Sequence, residues 1–184
     1  MDWNGLSTPH LADACVRLGE RPRVAPADLA PLDPAMRVAG PARPVRHFGS
    51  VDIFLEACEL ATPGEVLVID NAGRRDEACI GDLTVLEARA AGLSALIVWG
   101  LHRDDAELRK IGLPVFSLGT TPVGPLRVDP RSDDALTRAR IGAPSVEPGD
   151  AVFADADGVL FVAADRLDAA GLPHARYRSL QARQ

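Results

Sequence analysis

The sequence predicts an α/β protein centred on a parallel βαβαβ unit, and three observations carry that prediction. Continuous apolar runs, EVLVID (65–70), SALIVWG (94–100) and PVFSLG (114–119), have the length and composition of strands covered on both faces. Longer segments of helical pattern, DLTVLEARAAG (82–92) and DDAELRKIG (104–112), separate them, as expected when crossover helices join parallel strands. Gly92 and Gly112 then close those segments where a helix favours a left-handed residue after its last turn.

The remaining elements follow in chain order. Ser7-Thr8-Pro9 before HLADACVRLG supplies a hydroxyl cap, a first-turn proline and a closing Gly19, so one helix is expected with Leu11, Cys15 and Leu18 as its buried stripe. Residues 20–42 are rich in proline and weak in periodicity, and read as an irregular connection wrapped on the body. A short strand from Arg43 to His47 and a helix from Ser50 to Ala61 come next, ended by the turn Thr62-Pro63-Gly64. Beyond the central unit, VEPGDAVFADADGVLFVAA carries Asp157-Gly158 between two apolar runs, the signal of a tight hairpin. The tail LPHARYRSLQARQ is basic and weakly periodic, which fits a frayed end or a subunit contact. No internal repeat is visible, and residues 1–184 read as one domain.

Composition excludes several function classes. With 47% apolar residues in 184 the chain can bury an ordinary core, and aromatics at 4% leave that core to aliphatic side chains. A net charge of −6 with scattered arginines disfavours direct nucleic-acid binding, which needs a basic surplus to release counterions. No apolar stretch approaches the roughly 18 residues that span a bilayer, and MDWNGLSTPH lacks a basic segment followed by an apolar one. Three separated cysteines without a CxxC pair read as reduced core thiols in a cytoplasmic protein. Lys110, the single lysine, sits in a polar helical pattern, which argues against Schiff-base chemistry.

Chemistry therefore narrows to two dipeptides, Gly81-Asp82 and Arg103-Asp104, separated by residues 83–102 and each placed at a strand-to-helix junction. Asp104 with Glu107 has the spacing of a capping box, and Asp82 could cap its own helix. Arg103 is harder to explain structurally, because a guanidinium at a helix N-terminus opposes the dipole unless an anion lies beside it. A bound carboxylate would supply that anion, paired with the Arg103 fork and with backbone N–H groups of Gly81, Asp82, Leu83 and Thr84. The four histidines are far apart in sequence, so a metal would be held by oxygen, favouring Mg2+ or Mn2+ over zinc.

These residues and the segments around them resemble the RraA family of ribonuclease regulators and class II 4-hydroxy-4-methyl-2-oxoglutarate aldolases. The resemblance runs through LSTPHLADACVRLG, VAGPARPV, ATPGEVLVIDNAG, the long segment from IGDLTV to SLGTTP, and VEPGDAVFADADGVLFV. It implies a three-layer β/β/α swivelling fold like that of phosphohistidine domains, assembled as a homotrimer or hexamer with sites between subunits. It further implies that Asp104 binds the divalent ion, that Arg103 binds a pyruvate carboxylate, that the 81–84 amides complete the pocket, and that Asp82 handles protons near the metal waters. The implied reaction is cleavage of a 4-hydroxy-2-oxo acid to pyruvate, with oxaloacetate decarboxylation through the same enolate. The family's other members imply the alternative of a non-catalytic trimeric binding protein that regulates a ribonuclease or another enzyme. Family aldolases use an acidic residue near the C-terminus of a neighbouring subunit, whereas this chain has no acid after Asp168. Arg74 and Arg75, on the loop before Gly81, are candidates for a distal substrate carboxylate or for a solvated turn, and His102 for a packed or a site-facing side chain.

Overall fold

The computed structural model describes residues 7–46, 51–125 and 130–166. In chain order its elements are α1 (Thr8–Arg17), β1 (Arg23–Val24), β2 (Ala30–Pro31), β3 (Val38–Arg46), α2 (Asp52–Glu59), β4 (Val66–Asp70), β5 (Ala78–Ile80) and α3 (Asp82–Ala90). They continue with β6 (Ala95–Trp99), β7 (Leu101–His102), α4 (Asp105–Ile111), β8 (Val115–Ser117), β9 (Ala139–Arg140), β10 (Ser145–Val146), β11 (Ala151–Asp155) and β12 (Gly158–Val162). His47, Ser50 as a helix start, and the basic tail lie outside the described residues.

The expected βαβαβ unit is present: β3, β4, β6 and β8 are parallel neighbours, with Val66 opposite Ala95 and Ile97 opposite Phe116. Every residue of β4 is buried, because its two faces enter different cores. Leu67, Ile69, Leu96 and Val98 face α2, α3 and α4, where they meet Phe54, Val85, Ala88 and Leu108. Val66, Val68, Ala95 and Ile97 face away from the helices, towards Val146, Val152, Ala154, Val159 and Phe161. The strand alternation that puts successive side chains on opposite faces thus builds a helical layer on one side and a β layer on the other.

β11 and β12 extend the same sheet beyond β3, in the order β1-β12-β11-β3-β4-β6-β8-β2. Their inward residues join the second core, and their outward residues, Phe153, Leu160 and Val162, receive Leu11 and Ala14 of α1. The α1 cap differs from the expectation. Ser7 makes no capping bond; instead Asp155 accepts from the Thr8 amide at 2.8 Å and the Thr8 hydroxyl at 2.6 Å. The hairpin is real but its loop is Ala156-Asp157, with Asp155 paired to Gly158 and Gly158 at φ +131° as the first residue of the returning strand.

Residues 20–42 are more ordered than their prolines suggest. They hold β1 on β12, β2 on β8 and the first half of β3, so the strand placed at Arg43 to His47 begins five residues earlier. β3 must also pass close to the 62–64 turn: a Cβ on Gly40 would stand 2.5 Å from the Gly64 carbonyl oxygen. Gly92 and Gly112 adopt the expected left-handed conformation, at φ +80° and +75°. Among the described residues, no helix is long and apolar enough to cross a membrane.

Candidate functional site

Past the carboxyl ends of β4 and β6 the chain forms a second, smaller parallel pair, β5 with β7, which sequence patterning does not reveal. β5 hands over to α3 at Gly81 and β7 hands over to α4 at Arg103-Asp104. The Arg103 amide donates to the Ile80 carbonyl at 3.1 Å, so the two junctions are held side by side.

Asp104 occupies the N-cap position of α4, but its side chain makes no capping bond there. Its backbone is left-handed, φ +62° and ψ +37°, a conformation that Asp tolerates better than most residues. That twist turns the carboxylate away from its own helix and onto the start of α3, where Oδ2 accepts from the Asp82 amide at 3.2 Å. The same oxygen lies 3.4 Å from Arg103 Nε. Asp104 therefore supplies part of the negative charge that Arg103 requires, and the capping-box reading of Asp104 with Glu107 gives way to this cross-junction role.

Asp82 is the first helical residue of α3, with Gly81 as N-cap, and its Oδ1 accepts from the Leu83 amide at 2.8 Å. The amides expected to face a substrate are thus partly engaged by the two aspartates. Of the other two positions, Leu83 is 75% exposed and Thr84 is buried. Gly81 has an ordinary extended backbone, φ −147°, so its need is for space. A Cβ there would lie 2.5 Å from Asp104 Oδ2 and 3.1 Å from Arg103 Nε. Gly124, which sequence reasoning missed, does the same for the guanidinium head, since its Cβ would stand 2.5 Å from Arg103 Nη1.

His102 is packed. Nδ1 lies 2.7 Å from Ser117 Oγ and Nε2 lies 3.3 Å from Asp105 Oδ1, so the ring ties β7 to β8 and to the first turn of α4. The Arg109 guanidinium, and secondarily His102, hold the Asp105 carboxyl below its ordinary range. No sequence signal marks this bridge, because its three residues are brought together by two different strand ends. His102→Ala is expected to lower unfolding free energy by about 1 kcal/mol or more, since it removes the bond to the buried Ser117 hydroxyl, which keeps only its contacts with the Gly119 backbone. A urea titration checks it: an unchanged midpoint would show that the bridge is dispensable.

Arg74 and Arg75 are already committed. Arg74 pairs with Asp76 at 2.6 Å and with Glu77 at 2.8 Å, and Arg75 pairs with Asp28. Neither is a free guanidinium over the junction. The cysteines are core filler as expected: all three are buried, and burial pushes the Cys79 thiol up to about 12 and the Cys58 thiol up to about 11.

A divalent cation fits the donor set. Asp104 and Asp82 offer only oxygen, although among the described residues no group of three or more His, Cys, Asp or Glu that could hold a metal comes together. Such a sparse carboxylate set suits magnesium, which keeps most of its water shell and takes one or two protein carboxylates.

Residues 8–161 match the RraA-like family, described as Aldolase/RraA. A protein of Halalkalibacterium halodurans, provisionally named 4-hydroxy-4-methyl-2-oxoglutarate aldolase, is 30% identical over 135 residues, covering 73% of this chain and 63% of that protein. The chain thus spans less than two thirds of that relative's length. A solved structure from Geobacillus kaustophilus, described as an S-adenosylmethionine:2-dimethylmenaquinone methyltransferase, is 32% identical with a TM-score of 0.72, covering 85% of this chain and 96% of that one. A Streptomyces coelicolor structure, described as an unusual member of the RNase ES inhibitor RraA protein family, is 26% identical with a TM-score of 0.73, covering 96% and 92%.

Proposed function

We propose, on the premise that this chain belongs to the RraA-like family described as Aldolase/RraA, that the Gly81-Asp82 and Arg103-Asp104 junctions form a site that cleaves a 4-hydroxy-2-oxo acid to pyruvate. The observation that carries the reading is the left-handed Asp104, which gives up a helix cap to place its carboxylate between Arg103 and the α3 amides. Sparsely populated backbone conformations of this kind cost stability and gather at functional sites.

Asp104, with Asp82 beside it, would hold Mg2+ or Mn2+. When bound, the cation supplies Lewis-acid stabilisation of charge developing on the substrate's 2-oxo oxygen, a contribution of several kcal/mol. Arg103 pairs through its fork with the substrate carboxylate and fixes the 2-oxo group in one orientation. Asp82, at the mouth of α3, would take the 4-hydroxyl proton as the carbon–carbon bond breaks, while the positive end of that helix would favour the negative charge that results. Oxaloacetate would lose carbon dioxide at the same site, because the same pyruvate enolate is formed. Leu83, exposed one residue from Asp82, offers an apolar flank that a second copy could cover, in keeping with a homotrimer or hexamer whose sites lie between subunits.

The test is pyruvate release from 4-hydroxy-4-methyl-2-oxoglutarate and from oxaloacetate, with magnesium and with chelator. Wild type should form pyruvate only with the metal, and Asp104→Asn should lower the rate about a hundredfold or more. Wild type indistinguishable from the no-enzyme control on both substrates would retire the aldolase. The second reading, a binding protein that regulates a ribonuclease or another enzyme, would then stand; the likeness to the Streptomyces coelicolor structure is what favours it.

A further inference from the structure

At the carboxyl ends of β3, β4 and β6 a cavity of about 660 Å3 opens, lined by Arg46, Asp70, Trp99, Asp134, Arg138 and Arg140 among others. None of Gly81, Asp82, Arg103 and Asp104 lines it. Its volume lies in the range of small-molecule sites.

The charges around it are unevenly paired. Asp70 is buried and accepts from the Ala72 and Arg140 amides at 2.9 and 3.0 Å. Arg46 lies 3.9 Å from Asp70 and 3.6 Å from Asp134, so one guanidinium answers both carboxylates. Arg138 and Arg140 are left over. Among the described residues neither has a carboxylate within 4.0 Å, and the Arg140 Nε donates only to the Gly142 carbonyl at 3.2 Å.

Arg138 and Arg140 flank Ala139, which is fully buried in the second core, and both line the cavity. Two unanswered like charges on one wall are unfavourable in isolation, and in a chain of net charge −6 their clustering is not explained by a basic surplus. An anion that accepts from both would remove the repulsion.

We propose that this cavity binds a small, multiply charged anion, a phosphate ester or a dicarboxylate, at a site separate from the Gly81 and Arg103 cleft. Arg138 and Arg140 grip the anionic oxygens, and Asp70, by accepting from the Arg140 amide, fixes the segment that carries them. The Trp99 indole forms part of the wall, with its ring against Gly73, and senses occupancy.

The test reads Trp99 fluorescence in a Trp3→Phe background, which leaves one indole in the chain. Inorganic phosphate, AMP and malonate are titrated separately at constant ionic strength. A saturable change is expected with at least one of them, and whether the phosphates or malonate bind more tightly identifies the source of the anion. Arg138→Ala with Arg140→Ala should weaken that response about tenfold or more, as expected for loss of charge-assisted hydrogen bonds. Both residues are exposed, and near-UV circular dichroism confirms that the double variant is folded. Arg103→Ala should leave the response unchanged. No saturable change with any of the three anions, or an equal response in the double variant, overturns the proposal; loss of the response in Arg103→Ala overturns its separateness. Because the readout is binding, these outcomes are independent of whether pyruvate is formed.

Discussion

Gly81→Ala is expected to lower pyruvate-forming kcat/KM about a hundredfold while leaving the fold unchanged, because an ångström-scale displacement of catalytic groups costs that much. The backbone of Gly81 is ordinary, so alanine introduces no conformational strain. Its Cβ would, however, meet Asp104 Oδ2 at 2.5 Å and Arg103 Nε at 3.1 Å, the ends of two side chains that can move aside. Relief of the overlap therefore displaces the two proposed catalytic groups and little else. Kinetics and a thermal melt on the same preparation check the separation of effects. Activity within a few-fold of wild type would show that the close approach of the junctions does not matter to turnover.

Arg103→Ala is expected to cost about a thousandfold in kcat/KM, the upper end of what a single lost anion-stabilising donor takes away. The effect on stability should be small. The Arg103 side chain is 44% exposed and pairs with the adjacent Asp104, itself 33% exposed, so its removal leaves no buried charge behind. Arg103→Lys keeps the charge and loses the planar fork, so it should restore only a minor part of the lost rate. Pyruvate formation by Arg103→Lys at wild-type efficiency would mean that a point charge suffices, and that bidentate recognition of the substrate carboxylate is not used.

The central unit was legible because β4, β6 and β8 are covered on both faces and must be apolar along their whole length, while Gly92 and Gly112 mark helix ends by a conformation few other residues accept. β3 was half hidden by Pro41 and Pro44. The ladder explains why they are tolerated: β3 pairs with β11 over 38–41 and with β4 over 42–46, which leaves each proline an unpaired side for its missing donor. β1, β2, β5 and β7 were illegible for another reason. Two- and three-residue strands exist because a partner strand presents free carbonyls and amides, which is a property of the partner's position. At the site, the sequence singled out all four junction residues, with Asp104 read either as a cap of its own helix or, from the resemblance, as the holder of a divalent ion. Only the left-handed backbone redirects that carboxylate, and no local pattern encodes it. Gly124 and the His102 bridge depend in the same way on chain segments meeting from a distance.

The cap that Asp155 places on α1 has a consequence for biosynthesis. Thr8 and Asp155 are 147 positions apart, and among the described residues the buried seat of α1 is made by β11 and β12, with Ala39 of β3 beside it. At about 5–20 residues per second, a ribosome releases α1 roughly 7 to 30 s before it releases that seat. During this interval Leu11, Ala14 and Cys15 have no native surface to cover them, and the helix, only 10 residues long, is too short to persist by itself. A helix that emerges early is thus among the last to be secured, and the nascent chain depends on the late hairpin to hold it.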